Sequence, residues 1–253
     1  MRILTFHLRG KMAHFRRYYT NSSALSYTIP PRTTITGIVA GLLGWERDSY
    51  YTHFSIDRCN IALSICAPIK KTMQKLNLLK VERVNELNAS SEYHSQTATE
   101  FIIPQNIREG FVDYKIWLHH RDKAIMDAIE KIILNNAAGY ISRGIALGLG
   151  TAFNLGWLEN GKIVMGTEIN ESNNQCINSI IPSKKITGIL TEKMDKEGYR
   201  LIKEQIPLEF DADRHITAQG LGYMIINLDS KPVPAGVKSH VATENNETIT
   251  WME

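Results

Sequence analysis

The order of strand-like and helix-like segments is the feature of this sequence that most constrains its fold. Two segments, residues 33–43 and the stretch that begins at Asp122, have the apolar spacing or small-residue content of helices that pack on a sheet. Runs typical of strands occur at residues 2–8, 56–66, 111–119 and 153–164. The sequence therefore predicts the order β-α-β-β-α-β.

The ends of the two helices also have sequence signals. Thr33 or Thr34 is expected to cap the first helix, and Gly44 is expected to end it. Asp122 is placed to start the second helix. The apolar face of that helix consists of Ile125, Ile129, Ile132 and Ile133.

This order is that of an α+β, ferredoxin-like (RRM-like) domain, which we place at residues 1–165. The last strand is expected to turn at Asn160-Gly161. Residues 69–104 are polar and interrupt the pattern, which indicates an inserted β-hairpin or loop. Residues 166–253 consist of short strand-like pieces and predict a smaller β-rich extension.

The charge of the chain is concentrated near its start. The net charge is only +3, but residues 1–45 contain six basic side chains and no acid, and the first acidic residue is Glu46. Removing these six from the 29 basic side chains leaves 23 against 26 acidic ones. The six are Arg2, Arg9, Lys11, Arg16, Arg17 and Arg32. Such a block attracts polyanions, although a solvated basic face is an equal alternative.

Composition limits the cellular setting. The longest apolar run, residues 35–45, is too short to cross a bilayer, so no membrane contact is expected. The N-terminus has no long apolar stretch before a small-residue cleavage site. Three cysteines, Cys59, Cys66 and Cys176, form no CxxC pair. We therefore expect a cytoplasmic protein without a metal site.

A glycine-rich segment at residues 142–150 lies between the second helix and the last strand. It is not a P-loop, because no Lys-Ser or Lys-Thr follows, and it is not a Rossmann motif, which would follow a strand. No nucleotide cofactor is therefore expected. Gly144 and Gly148 would let backbone N–H groups approach a phosphate beside Arg143, or they would simply form a turn.

Three segments carry a specific resemblance to a known family. They are GKMAHFRRYY at residues 10–19, SYTIPPRTTITG at residues 26–37 and GLLGWERD at residues 41–48. Together they resemble the N-terminal signature of the Cas-five family of CRISPR-associated RAMP proteins. Residues 142–150 also resemble the glycine-rich loop of that superfamily. Within the family, the chain is most similar to the variant of type I-B complexes.

The resemblance implies a non-catalytic subunit of a type I surveillance complex, Cascade, that grips the 5′ handle of the crRNA. It also implies contacts with the backbone subunit of the Cas-seven family and the large subunit of the Cas-eight family. Contact with target DNA near the PAM stays open. The residues assigned to RNA are Lys11, His14, Arg16, Arg17, Tyr18, Tyr19, Arg32, Arg143, Gly144 and Gly148.

The insertion at residues 69–104 resembles in position the protruding thumb hairpin of the family. A solvated charged hairpin is the alternative interpretation of its basic residues. These are Lys70, Lys71, Lys75, Lys80 and Arg83.

The main rival hypothesis is an endoribonuclease, because one branch of this family cuts precursor RNA itself. Its chemically eligible residues are His7, His14, Tyr18, Tyr19 and Lys11. Their sequence positions do not single out a catalytic triad. A metal nuclease is disfavoured, because adjacent His119 and His120 alternate across a strand. A third hypothesis is a protein-interaction module that uses the sheet without binding RNA, against which the acid-free opening counts.

Overall fold

The described residues form a mostly β structure that contains two α-helices, consistent with the predicted α+β class. The computed structural model describes residues 1–20, 23–77, 84, 96–135, 147–195 and 197–253. Neither described helix is long and apolar enough to cross a membrane. Arg143 and Gly144 of the glycine-rich segment, and Lys80 and Arg83 of the insertion, lie outside the described residues.

The helices are α1 (Arg32–Leu43) and α2 (Lys123–Leu134). In the first half of the chain, the described strands are β1 (Arg2–Gly10), β2 (Phe15–Arg16), β3 (Ser26–Tyr27), β4 (Cys59–Ile65), β5 (Ile69–Asn77), β6 (Gln96–Pro104) and β7 (Val112–His120). In the second half, they are β8 (Gly156–Ile169), β9 (Asn173–Ile177), β10 (Ile181–Pro182), β11 (Ile186–Ile189), β12 (Leu201–Pro207), β13 (Leu221–Asn227), β14 (Val233–Val237), β15 (His240–Thr243) and β16 (Thr248–Ile249).

The main sheet has six antiparallel strands in the order β16-β15-β8-β1-β7-β4. The four strands predicted in the first part of the chain occupy consecutive positions in it, with β1 between β7 and β8. Residues near the N-terminus are therefore at the centre of the sheet, next to partners more than a hundred positions away. The predicted order of strands and helices is confirmed by these elements.

One face of the sheet is covered by the two helices. Because side chains alternate along a strand, Leu4, Phe6 and Leu8 of β1 all point to this face and are buried. They share a core with Val39 of α1 and Ile129 of α2. This core fixes β1, and with it the loop that follows β1, relative to both helices.

The opposite face of the sheet carries a second apolar cluster. Ile3 of β1 packs there with Trp117 and Val164, and the C-terminal residues Val241 and Trp251 cover them. Because β15 pairs with β8, the end of the chain completes the sheet that its beginning starts. The division into residues 1–165 and 166–253 stays a prediction.

Local sequence correctly predicted the N-cap of α2 but not that of α1. Asp122 caps α2 as predicted, since its Oδ1 accepts hydrogen bonds from the backbone N–H of Ala124 at 2.8 Å and Ile125 at 3.3 Å. The predicted threonine cap of α1 is wrong. The N-cap is Pro31, which has no side-chain acceptor, and Arg32 is the first helical residue.

The predicted turn at Asn160-Gly161 is also wrong, because β8 continues through both residues. Thr5 pairs with Lys162 but His7 pairs with Glu159, so two residues of β8 lie opposite one residue of β1. Asn160 adopts a positive φ of 55°. An Asn-Gly pair suits a β-bulge as well as a hairpin turn, and here it bends a long strand.

The insertion forms a β-hairpin, which is one of the two alternatives predicted for it. Its strands β5 and β6 pair from Ile69 opposite Pro104 to Asn77 opposite Gln96. The base of β6 also bridges to Ala13 and Ala24 of the N-terminal loop. Two small sheets, β10-β13-β12 and β11-β14-β9, account for most strands of the C-terminal third.

Candidate nucleic-acid interface

The loop that follows β1 is held between the hairpin and the end of the glycine-rich segment. Ala13 exchanges two backbone hydrogen bonds with Ile102 of β6, at 2.9 and 2.8 Å. The N–H of the next residue, His14, donates to Leu149 O at 3.0 Å. The fold thus brings together three sequence features that were noted separately, namely the basic opening, the insertion and the glycine-rich segment.

Gly150 is the residue at which this contact demands glycine. It has a φ of +91°, and a Cβ there would lie 1.8 Å from the carbonyl oxygen of His14. Gly148 forms a bridge with Leu155 and thereby closes a tight turn before β8. In the described part of the glycine-rich segment, Gly150 thus lets the turn approach the backbone of the protein itself, at His14.

Several side chains in the described part of the loop face outward. Tyr18 and Tyr19 are 54% and 55% exposed, and their rings meet edge to face with centroids 5.2 Å apart. Arg16 is exposed and donates to Thr20 O at 3.2 Å, and Lys11 lies over the ring of Phe111 at 4.0 Å. Within the described residues, neither cation has a carboxylate partner. We call Lys11, Arg16, Tyr18 and Tyr19 the loop surface.

Arg17, by contrast, turns toward the protein. It forms an ion pair with Glu204 of β12, and its Nη1 donates to Tyr19 Oη at 2.7 Å. Burial lowers the pKa of Arg17, but the hydrogen bond to Tyr19 and the charge of Glu204 outweigh it, so that the pKa lies above its usual value. Arg17 therefore stays charged while it orients the Tyr19 ring.

Two predicted RNA contacts lie in the interior. Arg32 is 1% exposed; its Nη1 donates to Leu208 O at 2.9 Å, and its Nη2 lies within 3.0 Å of the carbonyl oxygens of Phe54, Ser55 and Cys59. The expectation of a surface contact at Arg32 is thus corrected. A guanidinium has five donors, and here backbone carbonyls use most of them.

His14 is buried as well, although it belongs to the same loop as the exposed residues. Its Nδ1 lies 2.7 Å from Glu100 O, and its ring packs against Phe101 with centroids 5.9 Å apart. The side chain fastens the loop to the hairpin. The prediction of an RNA contact at His14 is therefore replaced by a structural role in this conformation.

Glu204 is a residue that the sequence analysis missed. It is 7% exposed, and besides Arg17 it accepts from the backbone N–H of Thr28 at 2.8 Å. Lys71 of the hairpin lies 3.7 Å from the same carboxylate. No local pattern marks Glu204, because its partners lie far from it along the chain. It joins the loop, the hairpin and the C-terminal third.

Beside Glu204 lies a cleft with a volume of about 480 Å³. It is bounded by the loop, the base of β5 and the strand β12. Its basic side chains are Arg17, Lys70, Lys71, Arg200 and Lys203. We call it the basic cleft.

The exposed side of β1 carries a separate polar network. Asp113 Oδ1 lies 2.7 Å from Nδ1 of His7, and Asp113 Oδ2 accepts from Nε of Arg9 at 2.8 Å. Burial would raise the pKa of Asp113, but these hydrogen bonds outweigh it, and the pKa lies below its usual value. Cys66 lies close enough to form a His-Cys-Asp group. The Arg9 guanidinium on Asp113 opposes a metal ion there, and we assign none.

A family model described as CRISPR-associated protein (Cas_Cas5) matches residues 3–113, which include all but the first residue of β1, the loop surface, α1 and both strands of the hairpin. Over these residues the chain is similar to the Cas5 family. The resemblance noted from three short segments is thus confirmed at the level of the family, while assignment to type I-B stays a prediction.

Solved structures similar to this protein are distant in sequence. A crystal structure of a CRISPR protein from Archaeoglobus fulgidus is 13% identical, covers 98% of both chains and has a TM-score of 0.59. A chain of a CRISPR RNA-guided surveillance complex is 11% identical, with 96% of this chain and 92% of that chain covered and a TM-score of 0.42. The first similarity shows a shared fold. No curated protein matches the sequence.

Proposed function

We propose that this Cas5-family protein is a non-catalytic subunit of a type I CRISPR surveillance complex that binds the 5′ handle of the crRNA and caps the backbone in antiviral defence. The observation that carries the proposal is the loop surface. It combines two exposed tyrosine rings with two cations, Lys11 and Arg16, that have no carboxylate partner among the described residues. Stacking rings beside phosphate-binding cations are the elements of single-strand recognition.

The arrangement of the main sheet supports the finer fold assignment within this proposal. The order β8-β1-β7-β4, with α1 and α2 on one face, is the one expected of a ferredoxin-like RAMP domain. The C-terminal third would be a β-rich extension that also supplies two strands to this sheet. The hairpin β5-β6 would be the thumb of the family.

Apolar side chains near the loop surface support contacts with other subunits. Phe153 and Leu155 are 54% and 60% exposed, and the Phe153 ring meets that of Phe101 with centroids 6.1 Å apart. Phe111, which lies under Lys11 of the loop surface, meets the Trp157 ring at 5.1 Å. Exposed apolar groups of this kind mark protein interfaces. We assign these side chains to contacts with the backbone subunit of the Cas-seven family or with the large subunit of the Cas-eight family. Contact with PAM-bearing DNA stays open.

The proposal is tested by the affinity of the purified protein for labelled handle RNA, measured by fluorescence anisotropy at several salt concentrations. The double variant Lys11→Ala/Arg16→Ala should bind roughly tenfold more weakly, and its log–log salt slope should flatten by about 1.4, which corresponds to two lost phosphate contacts. The matched control is Lys123→Ala/Lys238→Ala, which removes the same charge from two exposed positions outside the loop.

Arg17→Ala is a poorer probe, because it would leave the buried Glu204 carboxylate without its main partner. Equal losses in the double variant and its control would show that only net charge matters, and would refute the loop surface as the RNA site.

The endoribonuclease alternative is tested by incubating the purified protein with labelled precursor repeat RNA and measuring cleavage. Its two eligible histidines have other partners: His7 is bonded to Asp113 on the sheet, whereas His14 is buried against Glu100. We therefore expect no specific cleavage in the presence of EDTA. Specific cleavage that His7→Ala abolishes would overturn the non-catalytic assignment, since the His7–Asp113 pair has the geometry of an oriented general base.

A further inference from the structure

The basic cleft has the charge of an anion-binding site. Its five cations face one carboxylate, that of Glu204. Arg17 and Lys71 lie beside that carboxylate, and the backbone N–H of Thr28 donates to it. Lys71 also pairs with Glu100 at 3.3 Å. The charge of Glu204 is therefore neutralised from inside the protein. The exposed cations at the rim are Lys70 and Lys203, and Lys203 Nζ lies over the ring of Tyr223 at 4.9 Å. They keep the field of the cleft positive.

Arg200 in the cleft is held by hydrogen bonds to other parts of the protein. Its Nε donates to Asp229 Oδ1 at 2.8 Å, and its Nη2 donates to Ile69 O at 3.1 Å at the start of the hairpin. These contacts fix the guanidinium on both sides. The cleft is thus built by three segments distant in sequence and tied together at Arg200 and at Glu204.

The apolar lining groups are Tyr19 of the loop surface and three aliphatic side chains, Ile69, Ile202 and Leu228, which we call the apolar floor. The polar residues Thr28 and Gln205 complete the lining. A volume of about 480 Å³ falls within the range of pockets that enclose a small organic ligand. Aliphatic and aromatic walls below a cationic rim suit a flat base attached to a phosphate.

We infer that the basic cleft takes one nucleotide of the bound RNA, turned out of the strand. Its phosphate lies on Lys70 and Lys203, and its base lies against Ile202 and Leu228. The inference rests on the proposed function, because Tyr19 and Arg17 border both the cleft and the loop surface, so a strand on the loop leads directly to the cleft. An acidic protein segment would satisfy the cations but would leave the apolar floor unused.

The test places 2-aminopurine at each position of the handle RNA in turn and measures its fluorescence with the wild-type protein. A base held against the cleft wall should differ from its stacked neighbours at one position. In Lys70→Ala/Lys203→Ala that signal should vanish and the affinity for handle RNA should fall about fivefold. In Lys123→Ala/Lys238→Ala both should stay as in the wild type.

A second variant, Ile202→Ala, addresses the base without a change in charge. It should reduce the 2-aminopurine signal at the same position while the salt dependence of binding stays unchanged, and its melting temperature identifies any loss of folding. Handle binding at wild-type affinity in Lys70→Ala/Lys203→Ala, with no position of distinct fluorescence, would overturn the cleft while leaving the proposed function intact. Absence of handle binding by the wild type would overturn both.

An acidic partner protein is the remaining outcome. If Lys70→Ala/Lys203→Ala binds RNA like the wild type but no longer assembles with the other subunits, the cleft holds a protein segment, and the nucleotide assignment is wrong.

Discussion

At the scale of single residues, the buried guanidinium of Arg32 has the largest structural consequence. It joins the first turn of α1 to the carbonyl oxygens of residues 54–59 and of Leu208 near the end of β12. Burial lowers the pKa of Arg32, and no carboxylate contacts it among the described residues. The charge is instead held by carbonyl dipoles, so removal of the side chain would leave several buried acceptors unpaired.

We expect Arg32→Met to lower the free energy of unfolding by about 3 kcal/mol or more, because unpaired buried carbonyls cost about 1–3 kcal/mol each. Denaturant unfolding of the purified variant measures this directly. Arg16→Ala, in an exposed position, serves as the control and should change stability by less than about 0.5 kcal/mol. A variant at Arg32 with normal stability and weakened RNA binding would restore the original prediction that Arg32 contacts RNA.

At the scale of structural elements, the loop surface depends on the turn that precedes β8. Gly150 lets that turn approach the backbone of residues 13–14, and the hydrogen bond from His14 N–H to Leu149 O joins the two. The contact fixes where Arg16 and the two tyrosines emerge. A substitution in the turn is therefore expected to displace the backbone of the loop.

Gly150→Ala should destabilise the protein by at least about 2 kcal/mol, because both its positive φ and the contact with the His14 carbonyl exclude a Cβ. For a chain of this size, a melting temperature lower by roughly 4 °C or more is expected. Gly188→Ala is the matched control, since a Cβ there meets nothing within 4 Å. Equal melting temperatures for the two variants would show that the turn does not pack as described.

At the scale of the whole molecule, the two ends of the chain share one sheet. Val241 and Trp251 cover Ile3, Trp117 and Val164 on the face opposite the helices. The cluster is buried only when the C-terminal strands are present, so the predicted boundary at residue 165 divides a packed face of the sheet. Folding should therefore couple the two predicted domains.

A fragment of residues 1–165 should fail to unfold cooperatively, because it would expose Trp117 and its apolar neighbours. Thermal unfolding followed by tryptophan fluorescence, with dye binding to exposed apolar surface, measures the effect. The full chain is the reference and should show one transition. A cooperative transition in the fragment would support an independent N-terminal domain.

Local patterns were sufficient to predict the main elements of the fold. The alternation in β1, the isoleucine face of α2 and the cap at Asp122 each depend on residues close together in sequence. The insertion was recognised because it interrupts that pattern. By the same local criteria, Asn160-Gly161 was taken for a turn, since a turn and a bulge use similar backbone conformations.

A basic, acid-free segment at the start of the chain is evident from the sequence, but which of its charges face solvent depends on contacts with residues far along the chain. Arg2 pairs with Asp127 and Glu130, Arg9 with Asp113 and Glu159, and Arg17 with Glu204. These acids come from strands and a helix far along the chain, so composition near the N-terminus could not reveal them. Lys11 and Arg16 stay exposed because the fold brings no described carboxylate to them. Long-range packing, not local charge, therefore selects which cations belong to the candidate interface.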